Sequence, residues 1–200
     1  MPPTNREGQL RAGFFARKVE TVARALIGTT LLVDGVGGVI VETEAYDADD
    51  PASHCFRGRT SRNASMFGPP GHAYVYRSYG LHWCLNFVCA TASGVLIRAL
   101  EPTASLDRMA RRRGVTAVRL LCAGPGRLCQ ALEIDMRLDG HPLDRPPFEL
   151  WRGDEGVVIS AGPRIGISQG VATPWRFCLS GSRYLSRPRM TPLKETLDDG

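Results

Sequence analysis

The residue pattern of this chain predicts an α+β fold: a single domain with a curved, mainly antiparallel β-sheet flanked by helices. Three observations lead there. Apolar residues at helical spacing near the N-terminus give way to short strand-like segments. An Asp34-Gly35 turn joins the first two of those segments as a hairpin. Three more follow near residues 73–77, 81–89 and 94–100, ahead of a helical stretch at 105–113. The 200 residues, 43% hydrophobic and 22% charged, are enough for one core. The predicted domain therefore spans 1–200, with about 1–10 and 190–200 flexible.

In order, residues 1–10 read as polar and loose. Phe15, Val19, Val22, Ala23 and Leu26 lie at 3.6-residue spacing and predict one helix that Gly28 ends. Thr29–Val33 and Val39–Tyr46 form the hairpin, the second strand bounded upstream by Gly35, Gly37 and Gly38. Residues 47–71 are rich in Asp, Ser, Arg, Gly and Pro, and a loop of this length is usually functional. Beyond the three middle strands, Ser105–Arg113 reads as a basic helix. Gly124-Pro125 opens another, with Pro at its first turn. A Pro-rich connection (Pro142–Pro147) leads to strands near 156–160 and 175–180, and Met190–Gly200 reads as an acidic tail.

Chemistry concentrates between Val39 and Asn86. Alternation along a strand puts Glu42, Glu44 and Tyr46 on one face, which suits a site wall better than a core. The same pattern also fits an exposed strand face. Tyr74 and Tyr76 share a face of the next strand, either as core or as a second wall. Tyr79 stands beside Gly80 at a turn, where an aromatic ring normally faces solvent. Arg98 interrupts an apolar run, Val95 to Leu100, and a buried Arg needs a carboxylate or a phosphate partner. The Arg111-Arg112-Arg113 run fits a solvated helix end, favoured there by the macrodipole. Gly124-Pro125-Gly126 is a helix start, and such starts also bind phosphate.

Charge and cysteine content narrow the function classes. The net charge is +5, and all basic residues except Lys18 and Lys194 are Arg, whose planar fork suits phosphate. A pI near 9.1 permits a nucleic-acid partner. No apolar run reaches membrane-spanning length and no signal peptide opens the chain, so a soluble, cytoplasmic monomer is expected, nucleoid-associated if bacterial. The six cysteines form no C-x-x-C pair, so no metal site is expected. The spacing around His54-Cys55 is not that of a zinc site.

ValGluThrGluAlaTyr (41–46), AlaSerHis (52–54), Arg62-Asn63 with Met66-Phe67, ProGlyHisAlaTyrValTyr (70–76) and Tyr79-Gly80 resemble the alkyladenine, or 3-methyladenine, DNA glycosylase family. The likeness continues in order through Cys84-Leu85-Asn86, Leu96–Pro102, Gly124–Leu132 and Pro163–Ile167. The resemblance implies a repair enzyme that flips damaged purines such as 3-methyladenine, 7-methylguanine or hypoxanthine out of double-stranded DNA. It then hydrolyses the N-glycosidic bond and leaves an abasic site. By the match, Glu44 activates the water and Arg98 helps to hold the water or the adjacent phosphate. Tyr46, His54 and Tyr76 wall the base pocket, and Asn86 discriminates among purines. Tyr79 fills the gap in the duplex, while Tyr74, Met66, Arg62 and Arg127 contact DNA. No cofactor is required, and with no lysine in the site motifs no strand-cutting lyase activity is expected.

Three other readings compete. A nucleobase deaminase needs an H-x-E and P-C-x-x-C zinc signature, which this chain lacks. A carbohydrate-active enzyme could use Glu42 and Glu44, whose same-face spacing of roughly 7 Å suits an inverting pair. A non-catalytic nucleic-acid-binding module of similar fold would use Arg and Tyr without needing Glu44.

Overall fold

The computed structural model describes residues 8–90, 92–154 and 156–187. The expected tail at 190–200 lies outside them. Among the described residues, eight strands form one antiparallel sheet in the order β3-β4-β5-β2-β1-β6, with β8 pairing β2 and β7 pairing β8. They are β1 (Thr30–Val33), β2 (Val36–Tyr46), β3 (Ala73–Ser78), β4 (His82–Val88), β5 (Gly94–Ala104), β6 (Phe148–Trp151), β7 (Ile159–Gly162) and β8 (Arg176–Leu179). Five helices accompany them: α1 (Ala12–Phe15), α2 (Val19–Ala25), α3 (Leu106–Arg113), α4 (Val118–Leu121) and α5 (Pro125–Leu132). The curled sheet with helices against it is the α+β architecture that the pattern predicted.

Strand β2 is the axis. One edge pairs with β5 along its length, while the other is shared, β1 taking Val36–Val39 and β8 taking Glu42–Glu44. The handover coincides with register shifts against β5 on both sides of Glu42. A β-bulge re-aims the side chains that follow it. Ile40 and Ala45 join the main core, and Thr43 donates from its hydroxyl to the Ala23 carbonyl of α2 at 2.9 Å. Val41 packs instead with Ala99 and Tyr184 in a separate cluster. Behind the bulge, Glu42, Glu44 and Tyr46 point away from the helices.

The structure departs from the sequence reading in several places. Residues 8–10 are not loose: Gln9 bridges to Trp151, and buried Leu10 donates its N–H to the Leu150 carbonyl at 2.9 Å. The single helix expected over 15–26 is broken at 16–18, where Lys18 is extended, yet all five predicted apolar residues are buried. Gly37 and Gly38 do not bound β2 but lie inside it, where only glycine fits: a Cβ would sit 1.9 Å from the Leu31 oxygen of β1 or the Glu101 oxygen of β5. Strand β6 was not anticipated, since Phe148–Trp151 directly follows the Pro-rich connection that reads as loop. Its Phe148 and Leu150 are nonetheless fully buried.

The core lies between the sheet and helices α2 and α5, with Phe15, Leu26, Phe87, Ile97, Leu128 and Phe148 at its centre. The arginine run of α3 is solvated only in part: Arg111 is exposed, while Arg112 and Arg113 are half-buried. Arg112 and Arg113 donate to the Ala131 and Leu121 carbonyls and tie α3 to its neighbours.

Phe15 packs edge-on against Phe87 with ring centroids 5.8 Å apart and 1% exposure. Phe15→Ala is expected to lower stability by about 3–5 kcal/mol. Urea denaturation should show a lower midpoint at unchanged slope.

Candidate active site

The buried carboxylates come first. Glu42 and Glu44 are both 0% exposed, so the exposed-face reading of their alternation does not hold. A buried charge needs a partner in good geometry. Arg98, itself 7% exposed, supplies it for both, its Nε donating to Glu42 Oε1 at 3.0 Å and its Nη1 to Glu44 Oε2 at 3.1 Å. Within the protein, Arg98 is thus held by the two carboxylates and the Ser186 hydroxyl. Burial disfavours the Arg98 charge, but Glu44 and Glu42 outweigh it and raise its pKa.

The two carboxylates differ in what else they hold. Glu42 accepts from Arg176 Nε at 2.8 Å, Ser186 N at 2.6 Å and Ser186 Oγ at 2.7 Å, binding β8 and the segment after it to β2. Glu44 accepts from Tyr46 Oη at 2.8 Å through Oε2 and from Ile165 N at 2.7 Å through Oε1. A carboxylate offers roughly four lone-pair positions. Tyr46, Arg98 and Ile165 occupy three on Glu44 and leave one acceptor.

In front of this network lies a cavity of about 470 Å³, a size that suits a small organic group. Tyr46, His54, Met66, Tyr74, Tyr76, Tyr79, Asn86, Arg62 and Arg98 all line it. The structure therefore gathers every predicted site residue at one cavity except Glu44, which stands behind Tyr46 and Arg98, and Arg127. The latter points its Nη1 at the Ala123 carbonyl, although Pro125 of the same helix reaches the rim.

Sheet geometry sets the aromatic wall. Tyr74 and Tyr76, two apart on β3, stack at 5.5 Å with their planes 24° apart. His54, from the long loop, meets Tyr76 edge-on at 4.5 Å and places its Nδ1 3.0 Å from the Tyr74 hydroxyl. Asn63 fixes that loop by donating to the His54 and Gly58 carbonyls. Part of His54 reaches solvent, but desolvation of the packed ring, with Arg62 nearby, lowers its pKa from 6.5. Burial, then the Glu44 charge, pushes the Tyr46 hydroxyl far above the ordinary phenol range, so it stays a donor. Met66 and Tyr74 are each 3% exposed and support the wall from inside. Asn86 donates to the Tyr74 carbonyl at 3.2 Å.

Tyr79 is the opposite case. It is 90% exposed at the β3–β4 turn with φ of 49°, and Leu81 beside it is 71% exposed. An aromatic ring held out on a left-handed turn at the mouth of a cavity has no packing role.

A family model described as methylpurine-DNA glycosylase matches residues 13–183. The chain belongs to this family. Curated relatives agree. A protein of Nitrosospira multiformis named "Putative 3-methyladenine DNA glycosylase" is 60% identical over 182 residues, covering 90% of this chain and 94% of its own. One of the same name from Agrobacterium fabrum is 58% identical, covering 87% and 90%. The methylpurine-DNA glycosylase family is one of DNA-repair hydrolases acting on DNA, and several of the residues by which the sequence resembled it line the cavity. No helix among the described residues is long and apolar enough to cross a membrane.

Sequence reasoning gave no role to Asp50, Ile165, Arg164, Arg176 or Ser186. The Ile165 contact is a backbone N–H, which leaves no side-chain signature. Arg164 falls in a segment with no strand or helix pattern, and Arg176 at the start of the strand expected near 175–180, where nothing marked it as facing a carboxylate. Their one signal is that each interrupts apolar neighbours, as Arg98 does.

Two outcomes are expected. Glu42→Gln removes a buried charge that holds two guanidiniums, so it should lower stability by about 3–5 kcal/mol in a thermal or urea melt. His54 should titrate below 6.5 when its ring protons are followed by NMR. Because its folded pKa is lowered, the unfolded chain binds more protons between that midpoint and 6.5. His54 therefore makes stability rise with pH across that window. A midpoint above 6.5 would contradict the packing described.

Proposed function

We propose that this protein is a monofunctional purine DNA glycosylase. It takes a damaged purine such as 3-methyladenine, 7-methylguanine or hypoxanthine out of duplex DNA, and its Glu44-activated water hydrolyses the N-glycosidic bond to leave an abasic site. The observation that carries the reading is Glu44, immobilised by Tyr46, Arg98 and Ile165 directly behind the aromatic wall of the cavity. Bond cleavage builds positive charge on the sugar, and a fixed carboxylate beside it both stabilises that charge and takes a proton from water. Arg98 sets a positive charge 3.1 Å from the Glu44 carboxylate and holds it in place. Glu42, occupied by four donors, serves as the anchor for Arg98 rather than as a second base.

The remaining residues supply binding. Alkylated purines carry positive charge, and the electron-rich faces of Tyr46 and Tyr76 attract a cation. A neutral His54 adds an aromatic edge without repelling it. Asn86, buried and lining the cavity, presents its amide to the purine edge. Tyr79 enters the gap left in the stack, and Arg62 and Arg127 contact the phosphates. The protein works as a monomer in the cytoplasm, where DNA is reached by diffusion. Among the described residues no lysine lines the cavity, which supports a water nucleophile over a Schiff base.

Incubation with duplexes containing 3-methyladenine, 7-methylguanine or hypoxanthine should release free base and leave the strand uncut. Borohydride should trap no covalent enzyme–DNA adduct; a trapped adduct would overturn the water mechanism. Tyr79→Ala should weaken duplex binding by roughly 1–3 kcal/mol, measured as a Kd at fixed salt. For the wild type, log affinity should fall linearly with log salt. Affinity that ignores salt, together with an unaffected Tyr79 variant, would remove the wedge.

A further inference from the structure

The proposed reaction uses Tyr46 as a wall for a cationic base, yet a cation already lies against that ring. The Arg164 guanidinium carbon is 4.7 Å from the Tyr46 centroid and 5.5 Å from that of Trp175. The Arg164 side chain is 0% exposed and does not line the cavity, so it covers the ring face turned away from it. Its charge is met by Asp50, 7% exposed, in a bidentate pair of Nη1 with Oδ2 and Nη2 with Oδ1. Arg164 also donates to the Ala45 carbonyl at 2.9 Å and to the Gly170 carbonyl at 3.2 Å. Asp50 accepts from Ala52 N at 3.0 Å, at the start of the cavity-lining stretch Ala52–His54. Residue 165, next in the chain after Arg164, is the donor to Glu44 Oε1. One ion pair thus joins the end of β2, the His54 loop and the backbone that holds Glu44.

We propose that Asp50 and Arg164 are positioning residues that determine specificity. Together they fix Tyr46 and the Ile165 N–H, and Asp50 cancels a charge that otherwise repels a cationic purine on the front face of Tyr46. This rests on the glycosylase reading above. The site is built for the pair alone. Gly170 has φ of +60°, and a Cβ there would lie 2.7 Å from Asp50 Oδ1 and 2.9 Å from Arg164 Nη2. A positive charge roughly a ring's thickness behind the base acts through low-dielectric protein, where screening is weak. Losing only the Asp50 charge should therefore lower release of a cationic base relative to a neutral one, while losing both charges should restore the ratio.

Single-turnover release of 7-methylguanine (cationic) and hypoxanthine (neutral) is compared for wild type, Asp50→Asn and Asp50→Asn/Arg164→Gln, with lesion-duplex Kd and a thermal melt for each. Asp50→Asn should reduce the ratio of 7-methylguanine to hypoxanthine release by roughly threefold to tenfold. The double variant should return that ratio to within about twofold of wild type, yet release both bases on the order of tenfold more slowly at unchanged Kd, since positioning is lost. A wild-type ratio in Asp50→Asn, or wild-type rates in the double variant, would overturn the proposal. If Asp50→Asn does not fold, the double variant, which buries no unpaired charge, decides by its rates. A wild-type protein that releases neither base would instead refute the glycosylase reading itself.

Discussion

Burying a carboxylate without a partner is too unfavourable for a domain of this size to tolerate, and this chain buries Glu42 and Glu44 two residues apart on one strand. Much of the architecture around β2 answers that constraint. Arg98 spans both carboxylates, Arg176 is delivered to Glu42 by β8, and Ser186 supplies two further donors. With Asp50 and Arg164, the buried charges among the described residues balance at three of each sign. β8 pairs with β2 over Glu42–Glu44, so the ladder that closes this part of the sheet also brings in a neutralising charge.

The register shifts give the network its direction. On β2 the shift sends Glu42, Glu44 and Tyr46 away from the helices, and on β5 Arg98 falls between Ala99 and Ile97, whose partners are Glu42 and Thr43. The bulged segments face one another, and their polar groups meet behind the cavity. Tyr46 couples this interior to the cavity, since its hydroxyl donates to Glu44 while its ring forms the wall. The rigidity of Glu44 is therefore linked to the shape of the pocket. A carboxylate fixed in advance need not reorganise as charge develops, which is the physical basis of electrostatic catalysis.

Features carried by local pattern were legible in the sequence. Asp34-Gly35 marked the hairpin, and alternation placed Tyr74 with Tyr76 and Glu42 with Glu44 and Tyr46. Gly80 marked Tyr79 as exposed, and Arg98 was recognisable as a charge needing a partner. Alternation did not say that both carboxylates are buried, because a strand face has the same period whether solvent or protein covers it. It also could not show the bulge, which leaves residue types unchanged and alters only register. β6 was hidden by Pro146 and Pro147, whose loop signal overrode a four-residue strand that tertiary pairing with β1 and with residues 9–10 stabilises. The Ile165 donor and the Asp50–Arg164 pair join segments more than 110 residues apart, beyond any local rule.

The central claim is that Glu44, held by Tyr46, Arg98 and Ile165, faces the sugar from which a base is released. The most direct measurement is a crystal structure of the protein on a duplex carrying a cationic pyrrolidine nucleotide, a mimic of the charged sugar. The account predicts the pyrrolidine nitrogen, or a water bound to it, within hydrogen-bond distance of a Glu44 carboxylate oxygen, with Glu42 still bound to Arg176 and the Tyr79 ring in the duplex gap. A mimic left stacked in the helix, or extruded with its cation turned away from Glu44, would contradict it.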